Sequence, residues 1–556
     1  MQPGVTSIAA VRASAAPASV RGNGKNWLAI SVLIALPAAL PMAIILGSLL
    51  LPEWQIWQHL ARYVLPDVLR NTAGLVLGVA IGTFLLGTSL AWLTSVYEFP
   101  GRRLLSWALL LPLAIPSYVL GFVAIGFFEY AGPLQTLLRS WLGDGFALPA
   151  IRSYGGILAV MSFALYPYVY LIARAAFLTQ GQRALEVAQG FGLSRAQGFF
   201  RVALPMARPW LAGAVMLVVM ETLADFGTVS VFNYDTFTTA IYEAWFSLFS
   251  LHAALQLALL LLVFVVVAVA VEHKLRAGAQ YTAAGSASRR RRFPLAGLAA
   301  VVVSSAAWLV VLIGFGLPLV QLVVWSVANI DELDMRYFGY AGRTLFLAGT
   351  GALMITFAAV LLSYAIRKNR GRLTAVAARI ATLGYALPGT VLAVGIFVPL
   401  AAMNNVLQDI LNAVLDTSAP RIMIQLSLLT MYLAYIARFL AVAFNPVDSN
   451  MHRITRSIDE AALGFGVTGM AVLRSVHLPI LRAGLWTALA LTFVDLMKEL
   501  PITLMTRPFG WETLAVRVFE MTSEGEWERA ALPAVAIVIT GLIPVAVMAR
   551  RVDRAS

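Results

Sequence analysis

Four acidic residues fall where an apolar chain least tolerates them. Glu221 and Asp225 sit late in one hydrophobic run, and Asp495 and Glu499 sit late in another. An ionisable group inside a membrane-spanning helix costs several kcal/mol unless it is paired or wet, so such groups face a bundle interior or a water-filled cavity. Spacing of i and i+4 predicts that both members of each pair share one helical face. Lys498 adjoins the second pair and can neutralise part of it. Two uses fit these residues. Glu221, Asp225, Asp495, Lys498 and Glu499 either line a translocation path that attracts a cation, or form buried ion pairs that lock helices together, with Arg174, Arg438 or Arg517 as partners. The histidines His59, His252, His273, His452 and His477 are dispersed at no metal-ligand spacing. No catalytic residue and no resident metal is expected. With no cysteine, disulfides and thiol chemistry are excluded.

The two acidic pairs stand 274 positions apart, and the same offset relates a longer segment. EVAQGFGLSRAQGFFRVALP begins at Glu186 and EAALGFGVTGMAVLRSVHLP begins at Glu460. IPSYVLG from Ile115 and LPGTVLA from Leu387 align at an offset of 272, and Thr239 with Thr513 returns 274. Two halves of about 270 residues therefore descend from one unit. Each copy of the long segment has the amphipathic spacing of short helices. Gly192 and Gly466 permit a sharp turn, and Pro205 and Pro479 suit the first turn of a following helix. The expected result is a helical elbow in each half, and two elbows in matched register suit a paired docking partner.

These features must be positioned by membrane helices. Of 556 residues, 60% are hydrophobic and 12% charged, against about 25% charged in a soluble domain. Apolar runs near residues 27–51, 70–97, 104–129, 153–178, 209–232 and 251–271 make six spans. Runs near 294–327, 341–366, 373–403, 421–445, 482–506 and 531–549 make six more. The expected fold is an all-α membrane protein of about twelve transmembrane helices, built as two parallel six-helix repeats about an axis along the membrane normal. The expected organisation is a disordered cytoplasmic tail (1–26), a first transmembrane half (27–275), a basic cytoplasmic linker (276–293) containing Arg289 to Arg292, and a second transmembrane half (294–556). The net charge of +13 is spread over short loops on one face. That pattern sets cytoplasmic topology and contacts membrane lipid rather than nucleic acid. The tyrosines at 166, 168 and 170 and the prolines at 112, 116 and 388 are expected to serve packing and kinks.

The second long segment matches a pattern of E-A-A, three residues, G, nine residues, I, any residue, L-P at Glu460, Ala461, Ala462, Gly466, Val476, Leu478 and Pro479, with Val for Ile. The first matches at Glu186, Ala188, Gly192, Val202, Leu204 and Pro205, and departs at Val187. This resembles the coupling loop of type I ABC importer permeases. The resemblance implies that two copies of a cytoplasmic ABC ATPase grip the elbows. It also implies a periplasmic or extracellular binding protein that delivers solute, and a multi-pass location in a bacterial inner (plasma) membrane with both termini cytoplasmic. This chain has no G-x-x-x-x-G-K-[ST] phosphate loop. On that reading it is a permease subunit rather than an enzyme, binds no cofactor, and leaves ATP to its partners. METLADFGT from Met220 and VDLMKELPITLMTRPFGWETLAVRV from Val494 further resemble ferric-iron importer permeases. Thiamine, phosphonate, sulfate and polyamine permeases share the fold. A proton-coupled secondary transporter, with Asp225 and Glu499 carrying protons, is the alternative of another class.

Overall fold

The structure is a computed structural model that describes residues 24–50, 54–276, 292–369, 371–415 and 423–555. Most of the expected tail (1–23) and most of the basic linker (277–291) lie outside these, whereas residues 24–26, expected in the disordered tail, begin the first helix. Among the described residues, eleven helices are long and apolar enough to cross a membrane, and Ala531–Ala546 is a shorter apolar helix. The all-α expectation holds. Strand pairing among the described residues is confined to Tyr97–Glu98 beside Phe293–Pro294.

The repeat is visible helix by helix. Leu65–Val96 corresponds to Met335–Lys368, Tyr154–Ala176 to Leu428–Met451, Leu204–Ala224 to Leu478–Met497, and Phe237–Phe246 to Leu514–Ser523. In this last pair Thr236 and Thr513 occupy the N-cap positions. The amide of Phe237 bonds to Thr72 Oγ1, and that of Leu514 to Thr344 Oγ1. Thr513 therefore corresponds to Thr236, not to Thr239 as the fixed offset predicts, because the preceding short helix and loop together are three residues longer in the second half.

Several expected spans are broken. The run at 104–129 divides into Arg102–Ala108, a turn at Leu111–Ala114 and Ser117–Phe128. Pro112 and Pro116 lie at the breaks, removing amide donors and disfavouring helix in the residue before each. The run at 373–403 divides likewise into Arg372–Leu383, Gly384–Ala386 and Gly389–Leu415 around Pro388. The fifth spans end early, at Ala224 and Met497, and short helices Gly227–Val231 and Pro501–Thr506 follow.

The halves exchange their first helices. Gly24–Gly47 lies on the second half, where Trp27 meets Tyr364 edge-on at 4.9 Å. Leu317–Ala328 packs against the first half, with Trp325 against Gly126, and also along Ala531–Ala555 of its own half. Glycine is required at both crossings. A Cβ on Gly395 would stand 2.6 Å from Pro41 Cβ, and one on Gly126 would stand 2.7 Å from the Trp325 ring. Overpacking of this kind costs about 1–3 kcal/mol. We expect Gly395→Val to lower the melting temperature of the detergent-purified protein, whereas Gly349→Val, with open space around it, leaves it near wild type. Equal melting of the two variants contradicts this packing account.

Candidate functional site: paired elbows and a charged central cavity

Both elbows fold as helix, turn, helix. In the first, Gln182–Gly190 ends in a turn where Gly192 has φ of +75°, Gly192 N–H donates to Gln189 O at 2.9 Å and Leu193 N–H donates to Ala188 O at 3.0 Å. In the second, Arg456–Gly464 ends at Gly466 with φ of +76°, with bonds from Gly466 to Leu463 O and from Val467 to Ala462 O, both 2.9 Å. This pair of bonds closing on a left-handed glycine is the Schellman helix stop, and it explains the fixed spacing of Ala and Gly in the repeat. Ala188 and Ala462 are the buried residues under the turn, and a Cβ on Gly198 would reach Ala188 Cβ at 3.1 Å. Glu186, Glu460 and Ala461 are exposed. Phe191 and Phe465, one position before each glycine, are 82% and 87% exposed. Leu204 with Pro205, and Leu478 with Pro479, begin the following helices, where proline's missing N–H is harmless.

The anchoring of the two elbows differs, which sequence reading missed. Asp459 accepts from Arg367 Nη2 at 2.8 Å and lies 2.6 Å from His477 Nε2, while Tyr364 Oη donates to Gly469 O at 3.0 Å. At the corresponding positions the first elbow has Leu185 and Ala203, both buried, beside the cluster of Trp92, Phe177 and Phe199. The signal was the extra charge beside the motif at Asp459.

Between the halves lies a cavity of about 140 Å³ whose walls include Glu221, Asp225, Asp495, Lys498 and Glu499. All five predicted residues thus converge. The expectation that each pair shares a helical face is corrected: Asp225 and Glu499 lie beyond the ends of their helices. The chain leaves the helix at Asp225, whose Oδ1 then accepts the amides of Thr228 at 2.9 Å and Val229 at 3.2 Å in the next short helix. Glu499 Oε1 accepts the Ile502 amide at 2.9 Å. Each carboxylate satisfies backbone donors that the break leaves free. Asp225 Oδ2 accepts from Ser117 and Thr228 hydroxyls, each at 2.8 Å, and Glu221 accepts from Tyr385 Oη at 2.8 Å. In the second half, Lys498 Nζ is 2.9 Å from Asp495 and Arg438 Nε is 3.6 Å from Glu499.

Of the three arginines considered as partners, Arg438 reaches the cavity; Arg517 instead meets Glu520 at 3.5 Å, and Arg174 is not among the lining residues. Tyr166 and Tyr170 hydroxyls donate to Leu109 O and Ser106 O, which is packing, whereas Tyr168 lines the cavity. Ser117, Tyr118 and Tyr385 were not singled out from sequence. Ser117 lies within the repeated IPSYVLG string, but nothing local marks Tyr385. Among the described residues no group of three His, Asp or Glu side chains is arranged to hold a metal ion, and the buried Tyr118 hydroxyl has no hydrogen-bond partner.

Two fused helical halves around a charged central cavity, with matched elbows on the fifth helices, define a membrane permease. Residues 83–276 match the family described as binding-protein-dependent transport system inner membrane component. The Fe(3+)-transport system permease protein FbpB 2 of Haemophilus influenzae is 25% identical over 93% of this chain and 97% of its own length. The sulfate transport system permease protein CysW of Escherichia coli strain K12 is 37% identical over 26% of this chain and 48% of its own, and the molybdate/tungstate permease WtpB of Pyrococcus abyssi is 24% identical over 35% and 72%. Residues 83–276 carry the domain of this family, and the likeness to the Haemophilus influenzae permease extends over both halves.

The Asp459 anchor responds to acid. Burial alone would raise its carboxyl, but hydrogen bonds from His477 and Arg367, with their charges, outweigh this and hold it below the usual range. A depressed carboxyl contributes its stability above the unfolded value of about 3.9 and loses it as pH falls through the folded value. We expect amide exchange, corrected for intrinsic rate, to rise in the second elbow but not the first when pH falls through that window. Asp459→Asn should produce the same difference at neutral pH. Equal response of both elbows argues against the anchor.

Proposed function

We propose that the chain is the membrane subunit of an ATP-driven importer of ferric iron. The observation that carries this reading is the charge of the central cavity, where four carboxylates face two cationic side chains, Arg438 and Lys498. Both cations already sit against carboxylates, so the cavity suits a cation better than an oxyanion. The likeness to a ferric-iron permease over nearly the whole chain supports the same cargo.

On this reading two copies of a cytoplasmic ABC ATPase hold the elbows, and a periplasmic or extracellular binding protein delivers iron to the outer mouth. Each elbow joins the fifth helix of its half with little slack, through a π-helical turn at Phe199–Ala203 or Leu473–His477. Displacement of an elbow therefore pulls on the break at Asp225 or Glu499. ATP-driven closing and opening of the ATPase pair biases the cavity between outward-open and inward-open states. Glu186, Ala188, Gly192, Leu204 and Pro205, with Glu460, Ala461, Ala462, Gly466, Leu478 and Pro479, form the coupling surface. Both chain ends lie in the cytoplasm.

A Cβ at Gly192 or Gly466 meets open space, so substitution there perturbs docking more than packing, beyond about 1–2 kcal/mol of backbone strain. Gly192→Asp with Gly466→Asp is expected to abolish radiolabelled iron uptake and ATPase co-purification while membrane insertion persists. Uptake continuing on a proton gradient without ATP favours a carrier working through Asp225 and Glu499. Competition by sulfate, thiamine, phosphonate or a polyamine, but not by iron, reassigns the cargo.

A further inference from the structure

The cavity is symmetric in backbone but not in charge. At the 274-residue offset, Arg438 corresponds to Ala164 and Lys498 to Ala224, and all four residues line the cavity. Among the described residues lining the cavity, each half thus offers two carboxylates, but only the second half supplies cations. Arg438 is held from two directions, by Glu499 at 3.6 Å and by Leu387 O, to which its Nη1 donates at 3.0 Å. Lys498 is held by Asp495. The first-half carboxylates have hydroxyl and amide partners instead. Such donors stabilise a carboxylate without cancelling its charge.

We propose that Arg438 and Lys498 are resident counter-cations that set the selectivity of the cavity: they occupy the second-half carboxylates and confine cargo to Glu221 and Asp225. The inference rests on the cation-importer reading above. A tethered cation competes at high effective concentration for its own carboxylate. Small monovalent ions therefore find two of the four carboxylates filled. The remaining charge of two carboxylates attracts an ion in proportion to its valence, so a trivalent ion gains most. Without the resident cations, four carboxylates in one small cavity would recruit monovalent ions, and the distinction would be lost.

The test uses the intact complex, co-purified with its ATPase and binding protein and reconstituted in vesicles. Radiolabelled ferric uptake and rubidium-86 efflux are measured together with melting temperature. Lys498→Met combined with Arg438→Met should raise rubidium efflux by about tenfold, and Lys498→Arg should restore tight vesicles. Ala224→Lys, which places a cation against the first-half acids, should raise the half-saturating iron concentration by about tenfold or more while ATPase co-purification persists. Wild-type rubidium efflux in a double variant that melts normally overturns the proposal. If the double variant does not fold, normal iron affinity in Ala224→Lys overturns it. Wild-type vesicles that accumulate no iron refute the cargo reading itself; wild-type iron uptake with unaltered variants refutes only the selectivity role.

Discussion

A helix that stops inside an apolar bundle leaves amide and carbonyl groups that hydrocarbon cannot satisfy. Both fifth helices stop in this way, at Ala224 and Met497. Asp225 and Glu499 answer the first requirement by accepting the amides of the next short helix. That answer creates a second requirement, because a buried carboxylate must itself find donors or a counter-charge. Ser117, Thr228, Tyr385, Arg438 and Lys498 meet it for the four acids, from five separate segments. The cavity exists because these demands converge on one place between the halves.

The exchanged first helices make the two halves one body. Gly24–Gly47 seals the second half, Leu317–Ala328 seals the first, and glycines at the crossings let backbones approach closely. The second elbow is fixed through Arg367 and Asp459, the first through aromatic packing about Trp92. Two handles of like shape are thus held by different forces, one sensitive to charge and one to apolar contact.

Much of this was legible in the sequence because the repeat supplies its own comparison. Residues that recur at a fixed offset mark the elbows, and the Ala-to-Gly spacing within them is dictated by a helix stop that closes on local hydrogen bonds. The fixed offset misled at Thr239, because the short helix and loop before Thr513 are together three residues longer. Helical periodicity misled at Asp225 and Glu499; Pro501 marks the second break locally, but no proline marks the first.

The sequence by itself determined that the chain is an apolar helical repeat with matched elbows and four acids late in its apolar runs, since composition, periodicity and local turn chemistry need no distant partner. Only the tertiary structure decided that the first helices change sides, that Tyr385 and Ser117 meet acids from the other helices, and that the cavity's cations all come from one half. Those outcomes depend on contacts between residues far apart in the chain, 164 positions for Tyr385 with Glu221 and 354 for Gly395 with Pro41. Such contacts follow from how whole helices pack, and no short stretch of residues encodes them.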